Sequence, residues 1–152
     1  MENDIIQPRK IGTIKNGVVI DHIDAGKAVG IYKALNLSQI DTLIVIAKNL
    51  DSKKQGKKDL IKIENKSLTE DELNKVAIIS EHATINIIEN NIVTKKWEVK
   101  MPSTIERIII CNNPNCITNI EKIHTKFTVI DNGTRFKCNY CEKTQNKAQI
   151  KY

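Results

Sequence analysis

Four cysteines in the pattern C-x4-C-x21-C-x2-C, at Cys111, Cys116, Cys138 and Cys141, constrain this chain more than any other feature of its sequence. Each short pair sits on a tight turn that aims two sulfurs at one point. Between the pairs, Asp131-Asn132-Gly133 is a hairpin signal that folds one half back on the other. Four thiolates suit a tetrahedral Zn²⁺ and leave no position open for water, which makes such a site structural. A tail of roughly 50 residues rarely buries enough apolar surface to fold alone. Metal binding of this kind supplies roughly 10 kcal/mol or more of folding free energy. A CxxC redox pair at Cys138 and Cys141, or an iron–sulfur centre, are the other chemistries open to these residues.

The opening Met1-Glu2-Asn3-Asp4 is not followed by the apolar core of a signal peptide, and no stretch approaches the ~20 apolar residues of a membrane span. The expected location is the cytoplasm, where thiols stay reduced and clustered cysteines favour metal over disulfides. A chain of 152 residues makes one domain or two small ones. Met101-Pro102-Ser103 marks the expected boundary, because proline continues a strand poorly. That divides the chain into a domain over 1–100 and a small zinc-bound all-β domain over 101–152.

In the first part, Ile11–Lys15, Asn16-Gly17 and Val18–Ile23 read as strand, tight turn and strand. Asp24 is the expected cap of a helix running to about Leu37, with Ala25, Ala28, Val29, Tyr32 and Leu35 at helical spacing. Strands are expected at Thr42–Ala47 and Leu60–Glu64, with a polar loop from Asp51 to Lys58 between them. Ser67 and Glu70 form a capping-box signature for a helix through about Ile79. Strands at Ala83–Ile88 and Ile92–Val99 flank an Asn90-Asn91 turn. Aromatics are only 4% of residues, so the core is aliphatic and β-branched, which favours sheet. The order predicts an α+β sandwich of ferredoxin-like type, two helices on one face of an antiparallel sheet. In the tail, Ile105–Ile110, Lys126–Ile130, Thr134–Lys137 and Ala148–Tyr152 are the expected strands.

Lys58 and Lys62 are four residues apart, an even offset that places both on one face of a strand. Two ammonium groups beside an apolar sheet can hold a polyphosphate, with Asp21-His22 and Lys95-Lys96 at the ends of other strands. A solvated lysine face is the other reading of the same spacing. No P-loop or GxGxxG signature is present. His22, His82 and His124 are scattered, and no catalytic triad, HExxH or paired-carboxylate motif stands out. The residues therefore describe a non-catalytic binding module. The net charge of +6 is mild and spread along the chain. It leaves open a zinc-ribbon nucleic-acid binder using Phe127, Phe136 and Tyr140 for stacking.

Several segments resemble the regulatory chains of aspartate carbamoyltransferase. They are Gly17-Val18-Val19-Ile20-Asp21-His22-Ile23, the run from Gly56 to Asn65 (GKKDLIKIEN), Ala83-Thr84-Ile85-Asn86-Ile87-Ile88, and the two cysteine loops Cys111–Ile117 and Cys138–Glu142. The resemblance runs in order from about residue 11 to the end. It implies a nucleotide-binding allosteric domain and a zinc domain that docks on a catalytic chain. It implies CTP, often with UTP, as inhibitor and ATP as activator, with no catalysis by the chain itself. It assigns Lys58, Lys62 and Lys96 to phosphates and ribose, Asp21 to the ribose and His22 to the phosphates. Ile14, Asn86, Ile88 and Val93 would line the nucleoside. Asn113, Asn115, Tyr140 and Glu142 match or lie near docking residues, and the first domains would pair into regulatory dimers within a larger hetero-oligomer. No membrane or nucleic-acid partner is implied.

Overall fold

The computed structural model describes residues 13–150. Strand β1 (Gly17–Asp24) leads to helix α1 (Ala28–Ala34). Strands β2 (Ile44–Ser52) and β3 (Gly56–Glu64) precede helix α2 (Glu70–Ile79), and β4 (Thr84–Glu89) and β5 (Ile92–Glu98) close the unit. The sheet order is β2-β3-β1-β4-β5, with every neighbouring pair antiparallel. This is the expected ferredoxin-like arrangement with β5 added beside β4. The period-two pattern decides which side is core. Val18, Ile20, Ile61, Ile63 and Ile85 pack with Ala28 and Ile31 of α1 and with Val76 and Ala77 of α2, all fully buried. The opposite face carries Val19, Asp21, Lys58, Leu60, Lys62, Asn86 and Ile88.

Some local expectations are corrected. Residues 13–15 are not a strand, and residues 11 and 12 lie outside the described residues. β1 pairs with β3 and β4 instead of with a preceding hairpin arm. Gly17 is there for close approach: at φ 143°, a Cβ would lie 2.1 Å from the Ile63 carbonyl oxygen. Asp24 ends β1, and α1 starts four residues later with no side-chain cap from Lys27. The α2 capping box is Thr69 with Glu72, not Ser67 with Glu70. Both pairs match the signature, but only the Thr69 register puts leucines, Leu68 and Leu73, at the staple positions, and both pack on the core. The Asp51–Lys58 segment is mostly strand, a long hairpin in which Ser52 pairs with Gly56. Asn90 and Asn91, at φ 50° and 65°, make the expected tight turn.

The tail forms a second antiparallel sheet in the order β6 (Thr104–Glu106), β7 (Lys126–Ile130), β8 (Arg135–Cys138) and β9 (Thr144–Asn146). Helix α3 (Ile117–Ile120) is an unanticipated single turn after Cys116. The strand expected to reach Ile110 stops at Glu106 because Arg107 takes φ 64°. The last strand comes earlier than expected, at Thr144–Asn146. A 3-10 turn then occupies Lys147–Gln149, and residues 151 and 152 lie outside the described residues. The core here is Phe127, Phe136, Ile105, Ile108, Ile109 and three of the cysteines, joined by Ile78 from α2. Lys147 also reaches across to Glu81 at 3.3 Å. Among the described residues no helix is long and apolar enough to cross a membrane.

Candidate functional site

Two arrangements carry chemistry. In the tail, the four sulfurs all lie within 4.8 Å of one another. Cys111 and Cys141 are 3.6 Å apart, and Cys116 and Cys138 are 3.8 Å apart. A tetrahedral ion with metal–sulfur bonds of ~2.3 Å needs sulfur–sulfur edges of ~3.8 Å, so the donors fit one ion such as Zn²⁺. These distances are far too long for disulfides, and all four cysteines are free. Both loops are held by the backbone. Cys116 N–H donates to the Asn113 carbonyl, Glu142 N–H to the Cys138 carbonyl, and Cys138 N–H to the Lys143 carbonyl.

Three side chains that sequence reasoning passed over support the cluster. Thr118 donates its hydroxyl to Cys116 Sγ at 3.1 Å. Asn119 donates to the carbonyls of Cys111 and Asn113. Buried Gln145 accepts from Asn112 N–H and donates to the Ile110 carbonyl. Such partners orient metal ligands as much as the ligands themselves do. Burial pushes the Cys111 thiol up to about 12 and the Cys138 thiol upward as well. Burial acts in the same direction on Cys141. There, bonds to sulfur from the Lys143 backbone, Asn113 and the neighbouring thiols outweigh it and bring the thiol down to about 7.

The second arrangement is on the open face of the first sheet. A cleft of about 270 Å³ is lined by Val19, Asp21, Leu60, Lys62, Asn86, Ile88 and Val93. Register explains the convergence. Lys62 of β3 and Asn86 of β4 both stand opposite Val19, and Lys96 of β5 stands opposite Asn86. One row thus crosses four strands. Lys58 lies beside it, its Nζ 2.9 Å from Asp21 Oδ1. Burial works to raise the Asp21 carboxyl, but the Lys58 bond, the His22 N–H and the nearby positive charge hold it below its ordinary 3.8. Among the described residues Lys62 and Lys96 have no carboxylate within ion-pair distance.

His22 is half-buried and does not line the cleft. Its Nδ1 is 2.6 Å from the Thr84 hydroxyl, and its φ of 53° marks a bulge between Ile20 and Ile23. Ile14 is buried ahead of β1, outside the lining residues, next to Lys15 whose carbonyl accepts from Asn91 in the β4–β5 turn. Val19 and Leu60 were missed, although the even spacing from Asp21, Lys58 and Lys62 points to them. The same even spacing, counted back from Asn86 and Ile88, marks Thr84.

A four-sulfur cluster able to hold one metal ion, beside an α+β unit with a charged cleft, defines a metal-binding protein built on two sheets. Comparison narrows the class. Residues 9–100 match the model for the allosteric domain of the aspartate carbamoyltransferase regulatory chain, and residues 103–151 match the model for that chain's metal-binding domain. Aspartate carbamoyltransferase regulatory chains from Pyrococcus horikoshii and Methanococcus maripaludis strain C6 are 46% and 49% identical to it, each over 93% of this chain and 95% of their own length. The one from Methanocaldococcus jannaschii is 47% identical over 91% of this chain and 93% of its own. The chain belongs to the aspartate carbamoyltransferase regulatory chain family, and its role in pyrimidine biosynthesis is regulatory rather than catalytic.

Proposed function

We propose that the open sheet face binds nucleoside triphosphates, CTP and UTP as inhibitors and ATP as activator. The bias is passed to a catalytic chain of aspartate carbamoyltransferase through the metal domain. The cleft carries this reading: five of the nine residues expected at a nucleotide, Asp21, Lys62, Asn86, Ile88 and Val93, line one hollow. Ile88 and Val93 offer the base an apolar wall, Asn86 hydrogen-bonding capacity, and Asp21 an acceptor for ribose hydroxyls. Lys62, Lys96 and Lys58 supply charge for phosphates, with His22 at the bulge beside them. Ile14, buried just ahead of β1, is the ninth of the expected residues. Regulation follows if each nucleotide prefers one of two assembly states, and a tenfold preference is worth about 1.4 kcal/mol.

In the metal domain, Zn²⁺ held by Cys111, Cys116, Cys138 and Cys141 fixes loops that must be rigid to grip a partner. Ile110, Ile117, Ile120, Ile123 and Tyr140 are exposed around those loops, as are Asn115 and Glu142, an apolar surface with a polar margin suited to docking. Pairing of first domains into regulatory dimers is supported by the edge strand β2, near which Leu43, Ile46 and Leu50 are exposed. The working location is the cytoplasm. Nucleic-acid stacking loses two of its three candidates, since Phe127 and Phe136 are fully buried and Tyr140 alone of the three is exposed.

Titration calorimetry of the zinc-loaded chain with CTP and with ATP tests the first half. Saturable binding is expected, and no heat from either at millimolar concentration would remove the nucleotide site. Sedimentation with the catalytic chain tests the second half: a complex larger than either component is expected, and separate sedimentation would rule out docking.

A further inference from the structure

Among the described residues of the first domain Asp59 is the most thoroughly enclosed charged group, fully buried on the helix side of β3 between Lys58 and Leu60. Its Oδ2 accepts from the backbone N–H of Gly26 at 3.0 Å and of Ala28 at 3.1 Å. Its Oδ1 accepts from Asn49 N–H at 2.9 Å. Among the described residues no cation pairs with it. A carboxylate desolvated this far is tolerable only where several donors are aimed at it.

Those donors sit at places the sequence cannot hold by itself. Ala28 opens α1, which has no side-chain cap of its own, so Asp59 caps the helix from a distance. Asn49, at φ 60°, lies in a bulge of β2, where Ala47 pairs with Leu60 but Leu50 with Lys58. On the other side β1 has a matching irregularity: Ile20 pairs with Ile61, and Ile23 with Asp59. Each neighbour inserts one extra residue, β2 against 58–60 of β3 and β1 against 59–61, so the two bulges overlap at Asp59 and Leu60. In β1 the extra residue lets Asp21 face the open side while Ile23 still returns to the core. Lys58 meets Asp21 at that point.

We propose that Asp59 is the positioning residue of the nucleotide site, tying the β2 bulge and the entrance of α1 to β3 so that Lys58, Asp21 and His22 hold their places at the effector. This rests on the nucleotide reading above. The experiment uses the full zinc-loaded chain and the variants Asp59→Asn and Ile61→Val, with CTP as probe. Asp59→Asn keeps the shape but turns one acceptor into a donor facing an N–H. It is expected to raise the CTP dissociation constant at least tenfold at a temperature where circular dichroism finds it fully folded. Ile61→Val, which costs stability in the same strand, should leave affinity within twofold. Equal affinity for wild type and Asp59→Asn would overturn the proposal, and so would an equal loss in both variants.

Hydrogen exchange on the unaltered chain covers the case in which Asp59→Asn does not fold. CTP is expected to slow exchange of the Gly26, Ala28 and Asn49 amides, and unchanged exchange with CTP bound overturns the role. If wild type binds no CTP at all, it is the nucleotide reading that fails. The positioning role is then judged by whether Asp59→Asn, or Asp59→Ser if that variant does not fold, shifts the Asp21, His22 and Lys58 amide resonances. Unmoved resonances would end it.

Discussion

Lys62 and Asp21 face the same cleft with opposite charge, and they should fail differently. Lys62→Ala removes a cation that has no carboxylate partner in the described chain, so its loss should fall on nucleotide binding: a charge-assisted hydrogen bond is worth about 1.5–3 kcal/mol, or roughly a tenfold to hundredfold weaker complex by calorimetry. Folding stability should barely move. Asp21 instead has its own partner in Lys58. Its carboxyl is held below 3.8 in the folded chain, so it contributes stability at pH values above 3.8, and that contribution is lost as pH falls through the lowered folded value. Urea unfolding should therefore find Asp21→Asn less stable than wild type at pH 7, with the gap closing toward pH 3. A gap that stays constant would mean the pair does not act through charge.

The elements were legible where period and turn chemistry agreed. Lys58 and Lys62 could be set on one face by counting in twos, and Asn90-Asn91 could be read as a turn because asparagine tolerates positive φ. Legibility stopped at the bulges. Nothing in Asp21-His22 or in the Lys48-Asn49 step announces an extra residue, because a bulge is settled between two strands, and the one at Asn49 depends on a buried acceptor ten positions away. The first hairpin was misread for a related reason: Asn16-Gly17 carries a turn signature, but its glycine is needed where β1 touches the Ile63 carbonyl. Gly17→Ala should thus destabilise the domain well beyond a propensity change of ~1 kcal/mol, measurable as a lower urea midpoint. Thr69→Ala should cost ~1 kcal/mol through loss of the α2 cap. If Ser67→Ala cost more than Thr69→Ala, the assigned capping register would be wrong.

At the level of the whole molecule, the metal and the fold are one equilibrium. The Cys111 thiol at about 12 and the raised Cys138 thiol must shed protons to bind an ion. Binding therefore releases protons, and affinity should rise with pH. Chelator competition at pH 6 and pH 8 checks this: zinc should be lost more readily at pH 6. Cys138→Ser should unfold the tail and abolish docking while CTP still binds the first sheet. The cysteine spacing made this half of the molecule the easiest to read, since metal geometry is stricter than packing. What spacing could not reveal was Ile78. Near the end of α2 it lies 2% exposed among the metal-domain side chains, a part of the first fold lodged in the second. The two halves therefore have no clean seam. A piece of the protein ended near residue 100 would wear a bare isoleucine, and would be prone to clump through it. Anyone wishing to study the effector-binding half by itself should expect to blunt that position with a polar residue first.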